Sequence, residues 1–127
     1  MKMKKLLLVD DDAFLRDMYA IKFSDSKFDV HVAETGLQAL NLIEESPDFD
    51  VVLLDMVMPG MGGIELVQEI RGLFPKMKAY CIVLSNQGQE SDIAEATSAG
   101  ADGYIIKAES IPTDVVKKVS EIISNKK

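Results

Sequence analysis

Short apolar runs alternate along the chain with segments in which apolar residues recur at helical spacing. The runs are rich in Val, Ile and Leu and occur at five places: KLLLV (5–9), FDVHVA (28–33), VVLLD (51–55), AYCIVLS (79–85) and GYIIK (103–107). Three of them are continuous, which is typical of strands covered on both faces. FDVHVA alternates between apolar and polar residues, which indicates a half-exposed edge strand.

The segments between these runs predict five helices. Their apolar residues are Phe14, Met18 and Ile21; Leu40 and Ile43; Ile64, Val67 and Ile70; Ile93 and Ala96; and Val115, Val119 and Ile122. Gly100 is expected to cap the fourth helix, and Pro112 to begin the fifth. Five strand–helix units with right-handed crossovers predict a doubly wound α/β fold, in which helices cover both faces of a parallel sheet.

Composition and charge narrow the class of protein. The chain has 127 residues, 47% hydrophobic and 28% charged, as expected for one globular domain. No apolar run approaches the roughly 20 residues of a membrane-spanning helix, and the opening MKMKKLLLVDDD turns acidic too soon for a secretory signal. We therefore predict a cytoplasmic protein. The net charge of −7 argues against nucleic-acid binding by this domain.

Two residues that often carry chemistry receive ordinary structural interpretations. Cys81 is the single cysteine, so no internal disulfide can form, and its apolar neighbours predict a buried core position. His31 is the single histidine, and we interpret it as a surface residue of the edge strand.

Polar residues end four of the five predicted strands, namely Asp10–Asp12, Asp55, Ser85 and Lys107. The carboxyl ends of the strands are where ligands bind in doubly wound sheets. Two like charges about 4 Å apart near a protein surface repel by roughly 4 kcal/mol. We therefore expect a positively charged group to lie near the adjacent carboxylates and offset their repulsion. A divalent cation, with Mg²⁺ as the candidate, would supply it.

This set of residues suits phosphoryl transfer. A carboxylate can take a phosphoryl group as an acyl phosphate. Ser85 could donate a hydrogen bond to the transferred group, and Lys107 could pair with a phosphoryl oxygen. Asp12 is better explained as the first residue of a helix, where the helix dipole favours a carboxylate.

The segment DMVMPGMGGIEL (55–66) predicts a tight turn that holds Asp55 at its strand end. Pro59–Gly60 marks the turn, and Gly62–Gly63 allows positive φ or close approach before the next helix. Such a turn would aim the carbonyl of Val57 at a cation. Because no nucleotide-binding glycine motif is present, a nucleotide loop is disfavoured.

The motifs VDDD (9–12), LLDMVMPGMGGIEL (53–66), VLS (83–85) and AGADGYIIKA (99–108), with their spacing, resemble the receiver domain of bacterial two-component response regulators. The organisation is similar to that of single-domain, chemotaxis-type regulators. The resemblance implies a flavodoxin-like three-layer sandwich with strand order 2-1-3-4-5. We expect residues 1–127 to form one receiver domain without an output domain, although a piece of a longer regulator would have the same sequence.

The resemblance also implies a phosphoacceptor and a metal site. Asp55 is similar to the phosphoacceptor, and Asp10 and Asp11 to the acidic pair that binds Mg²⁺. Asp11, Asp55 and the Val57 carbonyl would be direct ligands, with Asp10 acting through water. Members of the family take a phosphoryl group from a sensor histidine kinase or a histidine phosphotransfer protein. They catalyse their own phosphorylation and its hydrolysis, and are not turnover enzymes in the usual sense.

A switch follows from the same resemblance. Ser85 corresponds to the switching hydroxyl, Lys107 to the family's lysine and Tyr104 to the switch aromatic. After phosphorylation, Ser85 would move to the phosphoryl group and Tyr104 would turn into the vacated space. The face made by the fourth helix, fifth strand and fifth helix would then bind a different protein partner, which the sequence does not name.

Three positions depart from the family pattern. Ala108 stands where Pro is usual, so we expect a trans Lys107–Ala108 peptide bond. Val57 and Gln87 flank the route of an attacking water, and their apolar and uncharged side chains predict an altered hydrolysis rate of unknown direction.

The kinase or phosphotransfer partner is expected to dock around the acidic edge. Phe14 and Leu15 lie beside Asp11 in the sequence. Phe14 is in phase with Met18 and Ile21, which predicts that it faces the core, so we expect Leu15 to provide the partner contact.

Two alternatives belong to other classes. A haloacid dehalogenase-type phosphatase would use Asp10 as its nucleophile, but Ala13 and Phe14 depart from the residues expected after its D-x-D motif. A degenerate receiver would act only as a binding module, although the complete set of three Asp, Ser and Lys argues against that.

Overall fold

Strands and helices alternate along the protein, which a computed structural model describes over residues 3–86, 88–107 and 111–125. Within these ranges there are five strands and five helices: β1 (Lys5–Val9), α1 (Ala13–Asp25), β2 (Asp29–Ala33), α2 (Gly36–Glu45), β3 (Val51–Asp55), α3 (Gly63–Leu73), β4 (Tyr80–Ser85), α4 (Glu90–Ala99), β5 (Gly103–Ile106) and α5 (Pro112–Asn125). The predicted element order is confirmed, and strand ends differ from expectation by one residue or none.

The strands form one parallel sheet in the order β2-β1-β3-β4-β5. This confirms the predicted doubly wound, flavodoxin-like fold and the edge position of β2. The chain leaves β1 towards β2 on one side and later returns to β3 on the other. The order therefore reverses between β1 and β3, which creates a crevice at their carboxyl ends.

The core lies on both faces of the sheet. Leu7 and Val9 of β1 pack with α2, α3 and α4, whereas Leu6 and Leu8 pack with α1 and α5. Successive residues of a central strand point to opposite faces of the sheet. Because both faces are covered by helices, residues on both faces are apolar, which explains the continuous apolar runs. Cys81 is fully buried, as predicted.

The predicted face of α1 is wrong. Phe14 is 76% exposed and Ile21 61% exposed, whereas Tyr19 and Phe23 are buried. Apolar residues occur on more than one side of this helix, and the buried aromatic pair decides which side packs on the sheet. Leu15 is half-buried against the core. Because Phe14 does not face the core, Leu15 is not preferred over Phe14 as a partner contact, and contact by either residue remains a prediction.

Arg71 joins α3 to the end of α4 and the start of β5. Its guanidinium donates to the carbonyl of Gly100 from Nε and Nη2 at 3.1 and 3.0 Å, and to the carbonyl of Ala79 at 3.1 Å. Nη2 also lies 2.8 Å from Asp102 Oδ2, which accepts the backbone N–H of Cys81 at 2.9 Å. Gly100 has φ +111°, so it caps α4 as predicted.

Replacing Arg71 with methionine is expected to lower the free energy of unfolding by about 2 kcal/mol, because carbonyl groups and a carboxylate lose a charged donor. Urea unfolding measures the change. The control is Lys76→Met at an exposed position, for which we expect a change within about 0.5 kcal/mol. Equal stabilities of the two variants would show that the Arg71 contacts contribute little.

None of the helices in the described ranges combines the length and the apolar character needed to cross a membrane.

Candidate functional site

Three carboxylates meet at the crevice between β1 and β3. Asp10 and Asp11 directly follow β1, and Asp55 is the last residue of β3. Val9 and Leu54 are partners in the parallel ladder, so the two strand ends lie side by side. One carboxylate oxygen from each of the three residues lies within 4.8 Å of the others. The structure thus brings together the acidic residues that the sequence places 44 positions apart (55 − 11).

Lys107 reaches the same cluster from the position after β5. Its Nζ lies 2.9 Å from Asp55 Oδ1 and 3.9 Å from Asp10 Oδ2, and its side chain is 11% exposed. Because β4 separates β5 from β3, the lysine side chain extends across a neighbouring strand end to make this contact. The predicted convergence of acid and ammonium at one edge of the sheet is present.

Burial dominates the electrostatics of the cluster. It raises the pKa of Asp10, against the opposing hydrogen bond from the backbone N–H of Asp12. It also raises the pKa of Asp55, against the hydrogen bond and charge of Lys107. Burial alone would lower the pKa of Lys107, but the hydrogen bond and charge of Asp55 outweigh it, so the pKa of Lys107 is raised. Three ionised carboxylates facing one ammonium leave two negative charges in excess.

The cluster fits a divalent cation. Asp10 is 1% exposed, and its Oδ2 is buried without a hydrogen-bond partner among the described residues. Asp11 is exposed and Asp55 is half-buried, so the cluster opens to solvent on one side. Carboxylate oxygens with room for water are the ligands that Mg²⁺ prefers. A cation held here would balance the excess charge and give Asp10 Oδ2 a partner.

The third adjacent aspartate has a structural role. Asp12 is the N-cap of α1, and its Oδ1 accepts the backbone N–H of Leu15 at 3.1 Å. This confirms the interpretation of Asp12 as a helix-initiating residue.

The loop after β3 holds Asp55 in place. Gly60 has φ +80°, as a Pro-Gly turn requires. Gly63 is needed for close approach, because a Cβ there would lie 2.5 Å from the carbonyl oxygen of Asp55. Its N–H donates to the carbonyl of Met56 at 2.8 Å. The side chain of Val57 is 65% exposed, and the aim of its carbonyl at a cation remains a prediction.

Ser85 and Tyr104 both contact the side chain of Met56, the first residue after β3. Ser85 ends β4 and is 1% exposed. Its Oγ lies 3.3 Å from Met56 Sδ, and the hydroxyl of Tyr104 lies 3.2 Å from the same sulfur. Tyr104 is half-buried and packs against the core. The structure thus joins the two predicted switch residues through a third residue that the sequence did not single out.

Two further residues near the site were not singled out from the sequence. Arg16 donates from Nη1 to the carbonyl of Asp10 at 2.8 Å, which fixes the end of β1. Tyr19 is 3% exposed, and burial raises its pKa, with Lys107 and Asp10 among the charges that act on it. Arg16 could have been found from the sequence, because a cationic side chain one turn after the N-cap Asp12 can reach back to the end of β1. No local sequence pattern distinguishes Tyr19.

Two predictions fall outside the described residues. These are the trans peptide bond between Lys107 and Ala108 and the influence of Gln87 on the water route.

The family model described as response regulator receiver domain matches residues 6–119. Among curated proteins, the chain is 35% identical over 122 residues to the chemotaxis protein CheY of Halobacterium salinarum, covering 95% of this chain and 98% of that protein. It is 34% identical over 119 residues to the transcriptional regulatory protein ResD of Bacillus subtilis, covering 94% of this chain but 48% of that protein.

A solved structure supports the same comparison. The chemotaxis protein CheY4 of Vibrio cholerae superimposes with a TM-score of 0.88 at 27% identity, covering 95% of this chain and 99% of that one. The match extends over nearly the whole of CheY and CheY4, and over about half the length of ResD.

Proposed function

The chain belongs to the response regulator receiver domain family, and from this premise we propose that Asp55 accepts a phosphoryl group and that its modification switches a protein-binding face. The donor would be a phosphohistidine of a sensor histidine kinase or of a histidine phosphotransfer protein. The observation that carries the proposal is the position of Asp55, which is in contact with Lys107 at 2.9 Å inside the acidic cluster.

In the proposed transfer step the phosphoryl group moves from a histidine nitrogen to an oxygen of Asp55. A carboxylate oxygen of Asp55 attacks phosphorus, the new O–P bond forms, and the N–P bond of the phosphohistidine breaks with its electron pair on the imidazole. Lys107 offsets charge on the phosphoryl oxygens, since its ammonium already lies at the carboxylate. Phosphoryl transfer depends mainly on such positioning and charge neutralisation.

Mg²⁺ is the cofactor that this chemistry calls for. Asp11, Asp55 and the carbonyl of Val57 would be its direct protein ligands, and Asp10 would act through water. When bound, the ion would supply positive charge that offsets the negative charge of the carboxylates and of the phosphoryl group.

Water is the co-reactant for loss of the phosphoryl group. Water attacks phosphorus of the acyl phosphate, which releases inorganic phosphate and restores the Asp55 carboxylate. The protein would thus be both catalyst and substrate of its own modification. Val57 and Gln87 flank the expected water route, and they are the positions at which we expect the lifetime of the phosphorylated form to be set.

The output is proposed to be a protein contact. Phosphorylation of Asp55 adds charge and acceptor oxygens, which would draw the Ser85 hydroxyl and change the surroundings of Tyr104. Tyr104 lies on β5, so the change would reach the face made by α4, β5 and α5. The net charge of −7 continues to favour a protein partner over nucleic acid. The predicted cytoplasmic location would put the chain in the same compartment as the phosphohistidine of a sensor kinase.

The phosphatase alternative with Asp10 as nucleophile finds less support. Asp10 is almost completely buried, and one of its oxygens accepts the N–H of Asp12 at 2.9 Å. Asp55 is the more accessible carboxylate, and it lies closer to the lysine Nζ, at 2.9 Å compared with 3.9 Å for Asp10. The inert binding module also finds less support, because the acidic residues and Lys107 are assembled.

Incubation with acetyl phosphate and Mg²⁺ tests the proposal. We expect intact-mass spectrometry to show the addition of one phosphoryl group, peptide mapping to place it on Asp55, and a chelator to prevent it. Beryllofluoride with Mg²⁺ should bind in place of the phosphoryl group. Modification of Asp10 instead would favour the phosphatase, and no modification or beryllofluoride binding would favour the binding module.

A further inference from the structure

The side chain of Met56 lies between the two switch hydroxyls. Its sulfur is 3.3 Å from Ser85 Oγ and 3.2 Å from the hydroxyl of Tyr104. A thioether sulfur is a weak hydrogen-bond acceptor, and both neighbours carry an O–H donor. Met56 directly follows the proposed phosphoacceptor, is half-buried, and packs against the core.

The backbone of Met56 is anchored on both sides. Its N–H donates to the carbonyl of Leu84 at 3.0 Å, and its carbonyl accepts the N–H of Gly63 at 2.8 Å. These bonds join the end of β3 to β4 and to the start of α3. A methionine side chain is flexible, but here it starts from a fixed point beside Ser85, so its sulfur can serve as a defined acceptor.

We propose that Met56 is a positioning residue of the switch, and that its sulfur is the shared acceptor that holds the hydroxyls of Ser85 and Tyr104 in the unphosphorylated protein. Its effect on phosphorylation rests on the function proposed above for Asp55. The contact of Met56 with the two hydroxyls is seen in the unphosphorylated protein and does not depend on that function.

The Met56 sulfur and a phosphoryl oxygen on Asp55 would compete for the Ser85 hydroxyl, and they differ in strength as acceptors. A phosphoryl oxygen is a charged acceptor and forms stronger hydrogen bonds than a neutral thioether. Ser85 therefore leaves the sulfur when Asp55 is phosphorylated, and the contact between Met56 and Tyr104 changes in response. The Ser85–Met56 hydrogen bond opposes phosphorylation, because it has to break before Ser85 can bond the phosphoryl group.

A first experiment examines the resting protein, with a chelator and no phosphodonor. The methionine methyl groups are ¹³C-labelled, and the Met56 signal is assigned by its loss in Met56→Leu. We expect this signal to move in Ser85→Ala and again in Tyr104→Phe, since each removes one hydroxyl donor. The control is the signal of Met58, a buried methionine of the same loop, which should stay in place. A Met56 signal that moves in neither variant would overturn the proposal.

A second experiment measures the rate at which acetyl phosphate labels Asp55. Leucine keeps the apolar volume of methionine and removes the acceptor. Met56→Leu is expected to be labelled about threefold to tenfold faster, as the loss of weak hydrogen bonds from the resting state alone predicts. The matched control Met58→Leu should stay within about twofold of the unchanged protein.

A rescue variant separates the acceptor from simple packing. Met56→Gln restores an acceptor oxygen at similar side-chain length, and we expect its labelling rate to fall back towards that of the unchanged protein. Equal rates for Met56→Leu and Met56→Gln, or a Met56→Leu rate no higher than that of the unchanged protein, would overturn the proposal.

The two experiments keep the two proposals apart. If the unchanged protein is not labelled on Asp55, the proposed function fails, and the methyl signals of the resting protein still decide whether Met56 is the shared acceptor. If Asp55 is labelled but Met56→Leu behaves as the unchanged protein does, the inference on Met56 fails alone.

Discussion

Asp55→Asn is expected to lower the rate of phosphorylation by acetyl phosphate at least about a thousandfold, because the carboxylate nucleophile is lost and an amide does not replace it. Asparagine has the same shape, so the loop held by Gly63 should keep its structure. Removing one of three clustered carboxylates also reduces their repulsion, so the variant should be no less stable than the unchanged protein. Intact-mass spectrometry after incubation with Mg²⁺ measures the labelling, and urea unfolding measures the stability.

The matched control for this variant is Asp12→Asn. Asp12 belongs to the same run of aspartates, but its side chain caps α1 by accepting the N–H of Leu15. Asparagine caps helices about as well as aspartate, so we expect a labelling rate within about twofold of the unchanged protein. Labelling that persists in Asp55→Asn and disappears in Asp10→Asn would contradict the proposal and restore the phosphatase alternative.

Asp10→Asn is expected to act on stability and on metal binding in opposite directions. Without a divalent cation, the variant should be more stable by about 1 to 3 kcal/mol, because a buried charge is removed. Asp10 is 1% exposed, its Oδ2 has no hydrogen-bond partner in the described part of the chain, and the nearest ammonium is 3.9 Å away. Its Oδ1, which accepts the N–H of Asp12, has an equivalent in asparagine.

The same substitution should weaken Mg²⁺ binding at least about tenfold, because one of three clustered carboxylates is lost. Thermal unfolding at increasing Mg²⁺ measures both effects, since a ligand that binds the folded state raises its stability. The variant should start from a higher melting temperature and gain less from the ion. A variant that is less stable than the unchanged protein in chelator would show that the negative charge of Asp10 is well compensated.

The stability gained by Asp10→Asn should depend on pH. Burial raises the pKa of Asp10 above the usual value of 3.8. At a pH between 3.8, the pKa in the unfolded chain, and the raised pKa in the folded protein, Asp10 binds a proton in the folded state but not in the unfolded state. The free energy of unfolding of the unchanged protein therefore falls as the pH rises through this window. The advantage of the variant is therefore full above the raised pKa and shrinks as the pH falls towards 3.8. Urea unfolding in chelator at several pH values measures it, and a gain that stays constant with pH would contradict the role of the buried charge.

The expected stabilities of Asp10→Asn and Asp55→Asn have a common cause. The carboxylates of Asp10, Asp11 and Asp55 destabilise one another in the absence of a cation, and burial increases this cost. Residues that bind a ligand are commonly less favourable for stability than their neutral replacements. The proposed Mg²⁺ site would explain why this cluster is kept at a cost in stability.

Much of the candidate site could be predicted because it depends on local patterns. In a doubly wound sheet, residues at the carboxyl ends of the strands share one edge, so Asp10, Asp11, Asp55 and Lys107 could be placed together from the apolar runs that precede them. The turn at Gly60 and the cap at Asp12 were equally local, since each depends on backbone geometry within a few residues.

The face of α1 could not be decided in this way. Its apolar residues satisfy helical spacing on more than one side, and Phe14 is as apolar as Phe23. The buried side is the one whose aromatic rings find partners, as Phe23 does in its edge-to-face contact with Phe28 at 5.2 Å. Periodicity measures amphipathicity, but packing partners determine which of two apolar sides is covered.

The sequence by itself determined the order of strands and helices, the residues at the strand ends, and the family to which the chain belongs. Only the tertiary structure decided the buried side of α1, the hydrogen bond by which Arg16 fixes the end of β1, and the convergence of two hydroxyls on Met56. Ser85 and Tyr104 are 29 and 48 residues away from Met56 in the chain. Strand ends follow from backbone periodicity within a few residues. A contact among side chains at the ends of β3, β4 and β5 depends on sheet order and rotamers, which no local pattern encodes.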